Sequence, residues 1–414
     1  MKKQLAFALI GLSSGILLTA CQQNKKGETS KQDTVNTTYK EGQFGYDLEF
    51  LQKYDSVLIL SNESGLGQIL VSPKYQGKVF TSTADGPDGK SFGWVNYKAF
   101  SAPVDPHMNA YGGEDRLWLG PEGGPFSLYF ENGKEMVYEN WKTPTSIDTE
   151  SWTLISADGS SAKMEKDTEL KNYAGTVLTM KLNRDIKMLS NSQIESDLGI
   201  QLSDKIKSVG FSTLNSITNT GKEAWTKETG APCLWSLDMF MPTDSTVILV
   251  PYEETAQGKI ATTDYFGEID KDRISYKDGV LYFKADGKSR GKLGLSPQRA
   301  KTIAGSYDLA NGILTVTKFT IDSGKTYLNQ EWTTKKDPFI GDAVNAYNDG
   351  PLEDGGQMGP FYEIESVSPA AFLKPSEKLD HSHNVYHFMG DKEQVSILLT
   401  KLFNISVQDI QSAF

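Results

Sequence analysis

The chain has 414 residues and a formal net charge of −11, with 38% hydrophobic and 23% charged residues. This length is enough for one large β domain or two ordinary ones, and the acidity argues against a nucleic-acid partner, because phosphate groups would repel the protein. P-loop, G-x-G-x-x-G and H-E-x-x-H motifs are absent, which disfavours Walker-type NTPases, dinucleotide-binding enzymes and zincins.

The first forty residues predict export and a lipid anchor. Two lysines precede an apolar run over residues 5–18, which is too short to span a bilayer core of about 30 Å as a stable helix. The run leads through Leu-Thr-Ala into Cys21, a string that resembles the bacterial lipobox. We therefore expect a signal peptide at 1–20, acyl chains such as palmitate on Cys21 and a flexible polar tether at 21–40. The alternative is an ordinary signal peptide with an incidental cysteine.

The rest of the chain, residues 41–414, predicts a single mostly β domain. Short β-rich runs follow one another, and Asp-Gly and Asn-Gly turn signals lie between several of them. Helix is scarce, with one short segment near residue 44 and a stronger one that begins after Asp391 as its N-cap. Many short strands without alternating long helices favour a sandwich or barrel. The runs are residues 57–60, 68–71, 78–81, 126–130, 176–182, 235–240, 246–250, 280–283, 313–317 and 361–365.

A first segment rich in possible ligand contacts spans residues 105–124. Aromatic faces stack on the apolar C–H faces of sugars, while carboxylates and arginine form charge-assisted hydrogen bonds with hydroxyl groups. The segment therefore predicts part of a sugar site, and its histidine could form an acid/base couple with a carboxylate. The alternative is a turn-rich connection with a core tryptophan and a salt-bridged arginine. The candidate residues are His107, Glu114, Arg116, Trp118 and Glu122.

A second such segment spans residues 341–366. It contributes Asn345 and Tyr347 as candidate substrate-binding residues, and Glu363 and Glu365 lie two apart in a predicted strand and so share a face. Two neighbouring acids raise one another's pKa, which suits a general acid/base pair. If that face is solvated, they are ordinary surface acids. Arg299, beside a turn, is a further candidate.

Three of the four histidines of the chain lie together near its end. His381, His383 and His387 share a face if the segment is a strand, because their offsets are even. Three imidazoles could bind zinc, copper or iron, with Glu365 as a fourth ligand. The spacing matches no diagnostic metal motif, so we expect no cofactor and keep a divalent metal as the alternative. Cys233 is expected to be a buried apolar residue without a disulfide partner.

Four strings give the chain a family resemblance. Residues 71–77, 112–124, 211–221 and 362–369 are similar to the galactose-mutarotase-like, aldose 1-epimerase-related superfamily, in particular to lipoproteins of gut Bacteroidota. The resemblance implies a β-supersandwich of large antiparallel sheets with a concave cleft for sugars. It also implies a glutamate, here Glu363 or Glu365, that removes the anomeric hydroxyl proton while a histidine protonates the ring oxygen. Residues 373–383 resemble the start of a cupin metal motif.

These observations leave three functions open. The first is a lipid-anchored carbohydrate-interacting protein, with epimerase-like glutamate/histidine chemistry if it is an enzyme. The second is a glycan-binding lipoprotein without catalysis, and the third is a metal-dependent enzyme that uses the C-terminal histidines. We expect the protein at the outer membrane, through its lipid anchor alone, with the membrane face left open. The sugar hypotheses require segments 107–122 and 345–365 to meet in one hollow.

Overall fold

The computed structural model describes residues 38–352 and 354–414. The predicted signal peptide, Cys21 and almost all of the tether lie outside the described residues. Residues 37–414 form one compact unit. Among the helices of the described part, none is long and apolar enough to cross a membrane.

Antiparallel strands dominate the described residues, as predicted from the sequence. Four α-helices accompany them: α1 (Phe44–Leu51), α2 (Asn191–Leu198), α3 (Lys392–Phe403) and α4 (Val407–Gln411). The strands are β1 (Leu58–Ser61), β2 (Gln68–Ser72), β3 (Lys78–Thr83), β4 (Arg116–Gly120), β5 (Thr153–Ala157), β6 (Ser161–Lys171), β7 (Val177–Met188), β8 (Ile206–Asn219), β9 (Cys233–Phe240), β10 (Thr246–Pro251), β11 (Ile274–Lys277), β12 (Val280–Lys284), β13 (Gly291–Leu295), β14 (Ile303–Asp308), β15 (Ile313–Phe319), β16 (Val344–Asn348), β17 (Tyr362–Val367) and β18 (Lys378–Gly390).

The strands of the described residues form three sheets. A ten-stranded sheet has the order β11-β12-β10-β14-β15-β18-β8-β7-β6-β5, a five-stranded sheet the order β13-β16-β17-β9-β4, and a three-stranded sheet the order β1-β2-β3. Turn chemistry agrees with this topology. Asp278 and Gly279 both have positive φ (51° and 73°) between β11 and β12, as the tight hairpin turn there requires.

The two larger sheets pack face to face around the main core. The side chains of β17 alternate between the two faces of the five-stranded sheet. Ser366 faces the ten-stranded sheet, where its hydroxyl hydrogen-bonds His381 and His383 of β18. Glu363 and Glu365 therefore point away from that sheet. The predicted sandwich of large antiparallel sheets is confirmed. The face of the five-stranded sheet that carries Glu363 and Glu365 points away from the ten-stranded sheet.

Helices cover the remaining apolar surfaces. Ile194 of α2 and Val395, Leu398 and Leu399 of α3 pack on the outer face of the ten-stranded sheet in a second core cluster. Phe44 and Leu51 of α1 pack on the three-stranded sheet. The predicted helix near residue 44 and the one after Asp391 are therefore confirmed, and the Asp391 side chain caps α3 by accepting from two backbone N–H groups.

The strand predicted over residues 126–130 is wrong. Leu128 donates its backbone N–H to the Pro121 carbonyl, and Tyr129 donates to the Ser127 hydroxyl. The backbone groups thus find partners within a compact loop, while the apolar side chains of Tyr129 and Phe130 are buried in the core. Burial rather than strand pairing explains this apolar run.

Candidate functional site

A cleft of about 340 Å³ opens on the face of the five-stranded sheet that points away from the ten-stranded sheet. Segments near residues 105–122 and 347–363 both contribute to it, so the two predicted segments meet in one hollow. Other contributions come from β9, β13 and loops. The lining includes Arg116, Trp118, Glu122, Trp141, Trp235, Lys292, Trp332, Tyr347, Phe361 and Glu363.

One half of the cleft floor is an ion pair between β4 and β17. Arg116 Nη2 lies 2.5 Å from Glu363 Oε1, and both side chains are nearly inaccessible to solvent. The guanidinium also lies over the Trp118 ring, 5.3 Å from its centroid, so the arginine makes an ionic and a cation–π contact at once. The pairing fixes the Glu363 carboxylate at the base of the cleft.

The other half of the floor is a second buried pair. Lys292 Nζ on β13 lies 3.0 Å from Glu365 Oε2 and 4.7 Å from the centroid of the Trp235 ring. The Trp235 indole N–H donates to the same carboxylate oxygen at 2.8 Å. Burial lowers the pKa of Lys292, but the carboxylates of Glu365, Glu122 and Glu363 outweigh it and raise that pKa. The lysine therefore stays an ammonium group.

Glu122 forms part of the cleft wall. It follows β4 directly after a cis peptide bond between Gly120 and Pro121, and its backbone N–H donates to the Gln330 side chain at 2.6 Å. Burial raises the pKa of Glu122, whereas the positive charge of Lys292 opposes this rise. It is a carboxyl group that lines the cleft without a cation in ion-pair contact among the described residues.

The charges around the floor do not balance. Arg116 and Lys292 supply two positive charges, whereas Glu122, Glu363 and Glu365 supply three carboxyl groups. Burial also raises the pKa of Glu363, while the Arg116 guanidinium opposes the rise and Glu365 adds to it. Burial therefore makes the Glu122 and Glu363 carboxyl groups hold their protons more tightly than carboxyl groups in water do.

Aromatic rings form the cleft walls. Trp141 stacks at 5.9 Å on Tyr129 and at 5.9 Å on Trp332, and Trp118 packs edge-on to Trp235 at 5.8 Å. Four of the seven tryptophans of the chain line this one cleft. The arrangement offers flat apolar faces beside carboxylates, which suits a ligand with both C–H faces and hydroxyl groups.

The family model described as a family of unknown function (DUF6786) matches residues 42–414. The chain belongs to this DUF6786 family. No curated protein matches it significantly.

Two of the solved structures that are similar to this DUF6786 chain carry galactose mutarotase names. A galactose mutarotase related enzyme from Lactobacillus acidophilus is 10% identical, with 81% of this chain and 98% of that chain covered and a TM-score of 0.45. A galactose mutarotase-like protein from Lactobacillus casei is 10% identical, with 80% and 100% covered and a TM-score of 0.47. The predicted membership of the galactose-mutarotase-like superfamily and of its Bacteroidota branch stays a prediction.

Five of the predicted site residues of the DUF6786 chain come together in the cleft: Arg116, Trp118, Glu122, Tyr347 and Glu363. Glu365 lies beside them beneath the floor, in the ion pair with Lys292. Their roles in binding or catalysis stay predictions.

His107 does not join Glu363. Its Nδ1 lies 2.6 Å from the Trp141 carbonyl oxygen, and its ring stacks at 4.6 Å on Tyr138. No histidine is among the residues that line the cleft in the described part of the chain. The predicted contact between a histidine and a glutamate in one site is therefore not formed, because the loop backbone and Tyr138 hold the imidazole at the rim.

Three other candidates lie away from the cleft. Glu114 is buried between the two large sheets, where it pairs with His387 at 2.8 Å. The guanidinium of Arg299 donates to the backbone carbonyls of Glu253 and Gly258 and so holds a loop together. Asn345 donates to the Leu293 carbonyl within the sheet. None of the three lines the cleft, because each side chain is engaged by other groups of the protein, and their role in substrate binding stays a prediction.

The three C-terminal histidines lie on one face of β18, as predicted, but each has protein partners. His383 Nε2 lies 2.7 Å from Asp238 Oδ2, and His381 hydrogen-bonds Ser366 and Thr320. Both ring nitrogens of His387 are also engaged. Among the described residues, no group of three or more His, Cys, Asp or Glu is arranged to hold a metal ion. The interpretation of these histidines as one metal site is therefore wrong.

Sequence reasoning missed several residues of the cleft. Trp235 and Lys292 lie inside strands, and Trp141 and Trp332 lie in loops without a local motif. One signal was available, since a lysine in the otherwise apolar strand Gly-Lys-Leu-Gly-Leu needs a buried anion. Residues 89–93 also match the G-x-S-x-G pattern of serine hydrolases, but Ser91 is buried and bonds Thr81 and Asp47, not a histidine.

Proposed function

We propose that the cleft on the five-stranded sheet binds a sugar or a short glycan. The observation that supports this most directly is the clustering of four tryptophans around two cleft-lining carboxyl groups. Tryptophan faces stack on sugar rings, and the Glu122 and Glu363 carboxyl groups accept hydrogen bonds from hydroxyl groups. The ion pair with Arg116 holds the Glu363 carboxylate in place before the ligand arrives, which lowers the cost of ordering it.

A glycan array probed with the full chain tests this proposal, followed by calorimetric titration of the best sugar. Trp332 lies at the cleft wall, so Trp332→Ala should weaken binding about five- to tenfold, since one lost stacking contact of about 1–1.4 kcal/mol corresponds to that factor. Tyr276→Ala is the matched control, because Tyr276 is exposed on β11 and does not line the cleft. Equal loss in both variants, or no bound glycan, would contradict sugar binding in this cleft.

A second candidate function is aldose mutarotation at the same place. The presence of two carboxyl groups in one cleft favours it, because ring opening needs a base for the anomeric hydroxyl proton and an acid for the ring oxygen. Glu363 would take the first proton and Glu122, whose pKa is raised by burial, would supply the second. Since His107 lies at the rim, this couple uses two carboxyl groups instead of the predicted glutamate and histidine.

Polarimetry of freshly dissolved α-glucose and α-galactose tests mutarotation directly. The full chain should accelerate the change in rotation over buffer, and Glu363→Gln should remove at least 90% of that acceleration while sugar binding persists. No acceleration by the wild-type chain would eliminate this candidate and leave the binding proposal intact.

We also propose that the chain is exported and acylated at Cys21, at the outer membrane. The lysine-led apolar run and the Leu-Thr-Ala-Cys string support this proposal. Metabolic labelling with palmitate should mark the wild-type chain, and Cys21→Ser should abolish the label and release the protein from membrane fractions. Labelling that survives Cys21→Ser would show that the anchor is elsewhere.

A further inference from the structure

Arg290 lies at the mouth of the cleft and is held there by uncharged groups. Its guanidinium carbon lies 3.9 Å from the centroid of the Phe266 ring, and its Nε lies 3.3 Å from the Tyr347 hydroxyl. Phe266, Tyr347 and Arg290 all line the cleft. The side chain is exposed to solvent, so a ligand entering the cleft reaches it.

Arg290 differs in its ion pairing from three of the other arginines, and Arg299 is engaged by backbone carbonyls instead. Arg116, Arg184 and Arg273 each pair with a carboxylate at 2.5–2.7 Å. Within residues 38–352 and 354–414, Arg290 forms no ion pair, and its two terminal nitrogens have no hydrogen-bond partner. In a chain with a net charge of −11, a cleft-lining guanidinium without an anion is available for an anion from outside.

The other cations of the cleft are already neutralised. Arg116 pairs with Glu363 and Lys292 pairs with Glu365, so neither supplies a free positive charge. The stack on Phe266 limits the motion of the Arg290 side chain, and a planar guanidinium presents paired N–H groups that match a carboxylate or a sulfate. Arg290 is therefore the group of the cleft that can distinguish a charged sugar from a neutral one.

We propose that the ligand is an anionic sugar, a ring that carries a carboxylate or a sulfate, and that Arg290 binds its anionic group. This inference rests on the proposed sugar-binding function and names the ligand class for the same cleft. The ring stacks on the tryptophan walls, its hydroxyl groups meet Glu122 and Glu363, and its charged substituent lies at the mouth, away from those two carboxyl groups.

Calorimetric titration of the full chain with matched pairs tests the inference. The probes are glucose against glucuronate and glucose 6-sulfate, and galactose against galacturonate and galactose 6-sulfate. In the series that binds, we expect the anionic member to bind at least about tenfold more tightly than the neutral one, which corresponds to one charge-assisted contact. Added salt should weaken the anionic ligand more than the neutral ligand. The carboxylate and sulfate arms identify which anion the site takes.

Arg290→Gln should reduce the preference for the anionic sugar to about twofold or less, because it removes the charge but keeps a polar side chain. Lys53→Gln is the matched control, since Lys53 is also an exposed cation over an aromatic ring, that of Phe50 at 5.8 Å, and lies outside the cleft. The control should keep the wild-type preference.

Three results would overturn the inference, and they differ in what else they affect. Equal or tighter binding of the neutral sugars, or a preference that persists in Arg290→Gln, would overturn the anionic ligand class and leave sugar binding standing. Failure of every neutral and charged sugar to bind would overturn the proposed function together with the inference.

Discussion

Asp47 is a carboxyl group that the fold buries on α1. Ser91 and Tyr97 donate their hydroxyl groups to it, yet burial outweighs these bonds and raises its pKa from 3.8 to about 6. A carboxyl whose pKa is raised by folding binds its proton more tightly in the folded state. Its contribution to stability is therefore greatest at low pH and falls as the pH rises through about 4 to 6.

Asp47→Asn should remove this pH dependence. The amide resembles the protonated acid, so the free energy of unfolding of the wild type should fall relative to that of the variant by about 2 kcal/mol between pH 4 and pH 6, at about 1.4 kcal/mol per unit of pKa shift. Above about pH 7 the difference should stay constant. Urea unfolding of both proteins at several pH values measures it, and a difference that does not change from pH 4 to pH 7 would contradict the prediction.

At the residue scale, the sequence predicted which residues could contact a ligand better than it predicted where their side chains lie. Arg116 and Glu363 were identified because polar and aromatic residues are dense around them, and the structure brings them together across 247 positions. Glu114 lies two residues from Arg116 and faces the interior instead. Contacts with strands and loops that are distant in sequence decide where such a side chain points. A short stretch of sequence does not show these contacts.

Among the elements, β7 depends on a buried charge. Arg184 Nη2 lies 2.7 Å from Asp115 Oδ1, and both side chains are fully inaccessible to solvent. The same arginine donates to the Gly77 carbonyl and to Asn215, so it joins the ten-stranded sheet to the segments around β3 and β4. Removing one partner of such a pair leaves an uncompensated buried charge.

Arg184→Met should therefore lower the free energy of unfolding by about 3–5 kcal/mol. The double variant with Asp115→Asn should recover part of this loss, because the buried anion is gone. Lys163→Met is the matched control: Lys163 pairs with Asp185 on β7 at 3.4 Å, but both side chains are exposed, so the change should stay below about 1 kcal/mol. Urea unfolding measures all three. Similar losses for Arg184→Met and Lys163→Met would show that burial does not set the cost.

Elements with their own local signals were predictable, and others were not. The apolar stripe and the Asp391 cap were enough to predict α3, since a helix is defined by nearby residues. The run 126–130 has strand composition but lacks a partner strand. By contrast, β16 is missing from the strand runs predicted from the sequence, although its residues pair with β13 and β17. Long-range pairing creates these strands, so composition alone is a poor guide to them.

At the scale of the whole molecule, polar contacts hold the two large sheets together. Asp238 of the five-stranded sheet pairs with His383 of the ten-stranded sheet at 2.7 Å, and Glu114 pairs with His387 at 2.8 Å. Burial lowers the pKa of His383, but the Asp238 carboxylate outweighs it and raises that pKa. Separating the sheets would expose these pairs and the shared apolar core at the same time, so we expect neither sheet to be stable alone.

Residues 41–414, predicted as one domain, should therefore unfold as one cooperative unit. Four cleft tryptophans report on the five-stranded sheet by fluorescence, whereas far-ultraviolet circular dichroism is dominated by the larger ten-stranded sheet. The two signals should change at the same urea concentration, since coincident transitions mark a two-state process. His383→Ala leaves Asp238 buried without its partner and should move both midpoints to lower urea together. Midpoints that separate, in the wild type or in the variant, would show that the cleft sheet unfolds independently and that the chain contains two folding units.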